Sequence, residues 1–137
     1  MYKSIMVPVD LEHRDLLEKA LATAADLAQH YGAELYAVGV TSAAPGVVAH
    51  NPSEYAQKLD QFAADQTAKR GIEFKAKAKT SHDPAVDLDD TLKQVASEIG
   101  ADLVVMASHV PGFFDYIFAS RAGYLASHSS LSVFVVR

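Results

Sequence analysis

The sequence predicts an α/β three-layer sandwich in which helices cover both faces of a five-stranded parallel sheet. Short apolar runs alternate strictly with amphipathic stretches of helix length, the pattern of strands joined by crossover helices. Ile5–Val9 and Leu103–Ala107 are apolar at every position, as strands buried on both faces are. With 137 residues, half of them hydrophobic, the chain can bury one core of about one domain's size.

The elements follow in order. Ile5 to Val9 is the first strand, closed by Asp10. From Asp15 to Tyr31, Leu16, Leu17, Ala20, Leu21, Ala24, Ala25, Leu27 and Ala28 recur at helical spacing, and Gly32 supplies a stop. Leu35 to Val40 is the second strand. Ser42 to Asn51, with Pro45-Gly46, is a loop. Ser53 is a candidate cap for a helix reaching Arg70, with Tyr55, Leu59, Phe62 and Ala63 inward and Gly71 at its end. Glu73 to Thr80 alternates Phe74, Ala76 and Ala78 with Lys75, Lys77 and Lys79, which predicts an edge strand with one wet face. Asp83-Pro84 opens a third helix that runs to Ile99 and stops at Gly100. Leu103–Ala107 is the fourth strand, Ser108 to Asp115 a loop, Ile117 to His128 a short helix and Ser132 to Val136 the fifth strand. This arrangement is flavodoxin-like, and such sheets bind ligands at the carboxyl ends of their strands, where the strand order reverses. A single domain over residues 1–137 is expected.

Composition narrows the function. Seventeen acidic against 12 basic residues give a net charge of −5 without a basic run, which disfavours nucleic-acid binding. The absence of cysteine excludes disulfides, thiol chemistry and Cys-ligated metals, and favours a cytoplasmic location. The first ten residues are too short in apolar length for a secretion signal, and no run approaches the ~18 apolar residues of a membrane span, so no membrane insertion is expected. The six histidines show no metal-ligand spacing. No nucleophile elbow, P-loop or dinucleotide-binding glycine motif is present.

Three places at strand ends carry polar chemistry. Asp10 can accept hydrogen bonds from a ribose hydroxyl or an adenine amine, hold a metal, or simply cap the turn that follows. No second acid in the motif accompanies it for magnesium. Ser108-His109-Val110 ends the fourth strand, where backbone N–H groups can cradle an anion and His109 can donate to a phosphate or serve a local hydrogen bond. Ser120-Arg121-Ala122-Gly123 lies in or just before the last helix, where Ser120 and Arg121 can meet phosphate or stay solvated. Phe113, Phe114, Tyr116 and Phe118 form an aromatic cluster suited to core packing or to an interface.

Taken together, Ile5-Met6-Val7-Pro8-Val9-Asp10, the block from Gly100 to His109 and the closing Ser129 to Arg137 resemble the universal stress protein superfamily, UspA-like, over the whole chain. The Ala-Ser-His-x-Pro form at Ala107 is most similar to the F/G type. Val48-Ala49-His50-Asn51-Pro52 and His82-Asp83-Pro84 resemble a transporter-associated branch. The resemblance implies strand order 3-2-1-4-5 and a homodimer, or a tetramer, paired through Leu131 to Val136. It implies a regulator of stress response or of a membrane transport system that binds ATP, ADP or AMP, with or without Mg2+. Pro8, Val9 and Asp10 would meet adenine and ribose, and Val40 would offer its backbone to the adenine edge. Ala107, His109 and Val110 would line the phosphate loop opposite Ser120, Arg121 and Ala122. The family's three phosphate-loop glycines are replaced here, at Ala107, Val110 and Ala119. F/G-type members also depart from that motif and some still bind nucleotide. Two readings therefore stand: a nucleotide-binding regulator, or a nucleotide-free dimeric interaction module. Any turnover is limited to weak ATP hydrolysis or self-phosphorylation at His109 or Ser120.

Overall fold

The computed structural model describes residues 1–107 and 122–137. Strand β1 (Ser4–Pro8) leads through a 3-10 segment (Leu11–Leu17) into helix α1 (Glu18–Tyr31). There follow β2 (Glu34–Ser42), α2 (Pro52–Arg70), β3 (Lys75–Ser81), α3 (Pro84–Ile99), β4 (Leu103–Ala107) and β5 (Ser132–Val136). Residues 122–128 are helical. The anticipated start of the last helix at Ile117, the aromatic cluster Phe113 to Phe118, and His109, Val110, Ser120 and Arg121 lie outside the described residues.

All five strands are parallel in the order β3-β2-β1-β4-β5, as the resemblance implied. Ile5 sits between Leu35 and Leu103 in register. Every residue of β1 and β4 is buried, because both faces of the sheet are covered. On one face α1 and α2 lie side by side, joined where Glu18 meets Lys69 at 2.9 Å and Arg70 at 2.8 Å. On the other, α3 lies beside the 122–128 helix, with Lys93 Nζ 5.6 Å above the Tyr124 ring. Ile5, Met6, Leu21, Leu35, Leu59, Leu92, Met106 and Leu125 fill the core.

Helix ends follow local chemistry. α1, α2 and α3 each stop at a left-handed glycine, at Gly32, Gly71 and Gly100, whose N–H groups bond back into the last turn. The cap of α2 is Asn51, not Ser53: its side chain accepts the Glu54 N–H at 2.8 Å. Pro52 takes the first helical position, where its missing N–H costs nothing, so the helix begins ahead of Ser53. The first helix also starts differently from its periodicity. Leu11 and Leu17 are buried on a tighter 3-10 segment, and α-geometry begins only at Glu18. β3 begins at Lys75, two residues after the anticipated Glu73, and Phe74 is held instead by its N–H to the Thr67 hydroxyl at 2.9 Å.

Candidate functional site

Proline builds the upper end of β1. Pro8 has no N–H to donate and is the last strand residue, but Val9 N–H still reaches Val38 O at 2.8 Å. The chain thus stays against β2 while turning out of the sheet, and Asp10 is delivered to the carboxyl edge. Since β1 lies between β2 and β4, whose connecting helices cover opposite faces, this edge is the topological switch point.

A cavity of about 270 Å³ opens there. β1 and its exit contribute Pro8, Val9, Asp10, Leu11 and Glu12, and β2 contributes Val38, Val40, Thr41 and Ser42. The β2–α2 loop supplies Val47, Val48 and Ala49. Tyr55 enters from α2, and Pro84, Leu88 and Leu92 from α3. The wall is largely aliphatic with acid at the mouth, suited to a flat, mostly apolar group bearing a few hydrogen-bonding atoms.

Of the residues singled out in the sequence, Pro8, Val9, Asp10 and Val40 converge on this cavity. Ala107 and Ala122 are buried at the two ends that bracket residues 108–121, and neither is among the described residues that line it. His109, Val110, Ser120 and Arg121 fall between them, outside the described residues.

Asp10 does cap the turn that follows it. One carboxylate oxygen accepts Glu12 N–H at 3.0 Å and the other meets His13 Nδ1 at 2.9 Å. A carboxylate has about four acceptor positions, so two internal partners leave capacity for a ligand. The bond to Asp10, helped by the nearby charges of Glu12 and Asp15, raises the His13 pKa above its ordinary value. Asp10 is also less solitary than the sequence implies. The 3-10 segment folds Glu12 and His13 back until ligand atoms of all three lie within 4.8 Å of one another. Spacings of two and three residues cluster in a 3-10 turn, whereas they would diverge in a strand. This grouping is explained by the cap and does not by itself define a metal site.

Three contributors escaped the sequence reading: the loop wall Val47–Ala49, the α3 residues Leu88 and Leu92, and Tyr55. The sequence pattern marks Tyr55 only as an inner-face helix residue. It is buried, as expected, but against β2 beside the cavity. A Cβ built at Gly39 would collide with the Tyr55 hydroxyl and lie 2.9 Å from its Cε1. The paired signal was Gly39, an isolated glycine within an apolar strand, which marks a close approach.

The family model described as the universal stress protein family matches residues 1–137. The chain belongs to this family. Universal stress protein G of Shigella flexneri is 28% identical over 148 residues, with each chain covered in full. A universal stress protein solved in complex with cAMP superposes with a TM-score of 0.68 at 18% identity, covering 99% of this chain and 97% of its own. The universal stress protein of Archaeoglobus fulgidus in complex with dAMP gives 0.66 at 23% identity, covering 99% and 98%. At these identities the superpositions establish the flavodoxin-like fold. Family membership accounts for the strand order. Among the described residues, no helix of this family member is long and apolar enough to cross a membrane.

Proposed function

We propose that this universal stress protein is a regulator that binds an adenine nucleotide, with residues 1–137 acting as one nucleotide-binding domain. The observation that carries the reading is the cavity at the switch point, apolar in its walls and mouthed by the Asp10 carboxylate. A nucleoside matches it: a flat base for the aliphatic walls and hydroxyls for the acid. Pro8, Val9 and Val40 bound the base, and Asp10 accepts from ribose or from the base amine. No Lys or Arg is among the described residues lining the cavity, so phosphates extend elsewhere. In this reading Ala107, His109, Val110, Ser120, Arg121 and Ala122 are the phosphate partners, as the family resemblance implies. The family's solved complexes with cAMP and dAMP support an adenine ligand. ATP with Mg2+ is the fuller ligand in this reading, and AMP the smaller one.

In the same reading the protein is a cytoplasmic homodimer that presents a nucleotide-dependent surface to a partner such as a transport system. The edge strand β5 supports the dimer: among the described residues nothing pairs with its outer side, and Phe134 and Val135 are over 40% exposed.

Isothermal titration of AMP and ATP tests the ligand. Micromolar to millimolar binding is expected, weakened about tenfold or more in Asp10→Ala, the size of a charge-assisted hydrogen bond of roughly 1.5–3 kcal/mol. No binding by the wild-type protein would favour the nucleotide-free interaction module, the reading to which replacement of the loop glycines points.

A further inference from the structure

The cavity contains one hydroxyl whose hydrogen is not committed within the described protein. Three of the described lining residues carry hydroxyls: Thr41, Ser42 and Tyr55. Thr41 donates to Ser42 O at 3.5 Å and Ser42 donates to Ala44 O at 3.4 Å, both within their own turn. Tyr55 is 5% exposed, and among the described residues its hydroxyl has no hydrogen-bond partner. The hydroxyl oxygen is not among the fully buried side-chain atoms left without a partner, so it keeps accessible surface and is open to a ligand. Here the arrangement is built in, because Gly39 has no side chain and so leaves the space the phenol occupies.

We propose that the Tyr55 hydroxyl donates a hydrogen bond to a ring nitrogen of the bound purine and so selects the base. The inference rests on the adenine-nucleotide reading of the cavity. Donor and acceptor arithmetic leads to it. The charged groups at the mouth, Asp10 and Glu12, are carboxylates and can only accept, so they suit the amine and the ribose hydroxyls. A purine ring nitrogen needs a donor, and among the described lining side chains Tyr55 is the one whose hydroxyl meets no protein acceptor. Burial, with the Asp10 charge as a second cause, raises the Tyr55 pKa, so the phenol keeps its proton throughout the physiological range.

The test is a binding cycle with adenosine and its 1-, 3- and 7-deaza analogues, measured by calorimetry on the wild-type protein and on Tyr55→Phe. Tyr55→Phe keeps the ring that packs on Gly39, so thermal unfolding without ligand should occur at an unchanged or higher temperature. Adenosine should bind about 3- to 10-fold more weakly to the variant, the worth of a neutral hydrogen bond. One deaza analogue should bind both proteins equally, because it lacks the acceptor the phenol served. Equal adenosine affinity in both proteins would overturn the inference. So would an equal loss for adenosine and all three analogues, since the hydroxyl would then serve another atom. Failure of the wild-type protein to bind any adenine nucleoside would instead overturn the underlying reading of the cavity.

Discussion

Asp10 serves the fold and faces the cavity at once. Its carboxylate caps the 3-10 segment through Glu12 N–H and holds His13 through Nδ1. The second bond makes the site sensitive to pH. Asp10 stabilises the protonated imidazole, so the folded-state pKa of His13 lies above its ordinary 6.5. A raised pKa means that protonation favours the folded state. That contribution is complete below about pH 6.5 and is lost as pH rises through the folded-state value. Proton NMR of the His13 ring should give a midpoint above 6.5, moving back toward 6.5 in Asp10→Asn. A midpoint unchanged by that substitution would show that the pair does not persist in solution. Asp102 has the matching structural role at the opposite edge of the sheet. Its carboxylate accepts Lys3 N–H at 3.0 Å and Ser4 N–H at 3.2 Å, and its carbonyl accepts Ser132 N–H at 3.1 Å. In the sequence Asp102 was legible only as part of a family block. The structure gives it a physical reason, which is to join the amino ends of β1, β4 and β5.

At the scale of elements, the β2–α2 loop forms one wall of the cavity, and α2 holds it in place. Glu54 accepts His50 N–H at 3.1 Å, Lys58 donates to Val48 O, and the two side chains pair at 3.3 Å. The His50 N–H, followed by Lys58, keeps the Glu54 carboxyl below the ordinary glutamate range. Gly46 N–H to Ala49 O at 2.9 Å closes the loop on itself. An exposed pair of this kind adds at most about 1 kcal/mol to global stability, so its effect should be local. Glu54→Ala combined with Lys58→Met should shift the thermal midpoint little, while amide hydrogen exchange across residues 46–50 accelerates severalfold. Exchange unchanged in the variant would mean that the loop holds its shape without α2. The edge strand β3 shows a comparable division. Its alternation of lysine with alanine was legible because strand side chains have a period of two. The partners were not: Lys75 meets Glu34 at 3.0 Å, while Lys77 and Lys79 share Glu98 of α3 at 3.1 and 2.7 Å. These pairs join residues more than fifteen positions apart, beyond the reach of any local pattern.

For the whole molecule, the two edges of the sheet differ in kind. β3 presents paired lysines, which discourage another strand from adding to it. β5 presents Phe134 and Val135 and carries no charged side chain along Ser132–Val136. An uncharged, partly apolar edge is where a second copy would pair, in keeping with the proposed homodimer. Phe134→Glu should convert the proposed dimer to monomer in sedimentation velocity while leaving the circular dichroism of the fold intact. A dimer of unchanged mass would locate the interface elsewhere. The sequence by itself determined the α/β class, the number of strands and the glycine helix stops, while the strand order came from the family resemblance. The first three depend on periodicity or on backbone preference within a few residues, which composition and spacing express directly. The sequence also brought forward Val9, Asp10 and Val40, because strand ends at a switch point can be found by counting elements, and the family resemblance added Pro8. Tertiary structure decided what those residues meet. The 3-10 segment that gathers Glu12 and His13 around Asp10, the α3 wall of Leu88 and Leu92, and the seating of Tyr55 on Gly39 are all contacts across crossovers. They depend on how helices dock on the sheet, and that packing is fixed by the shape of the whole core.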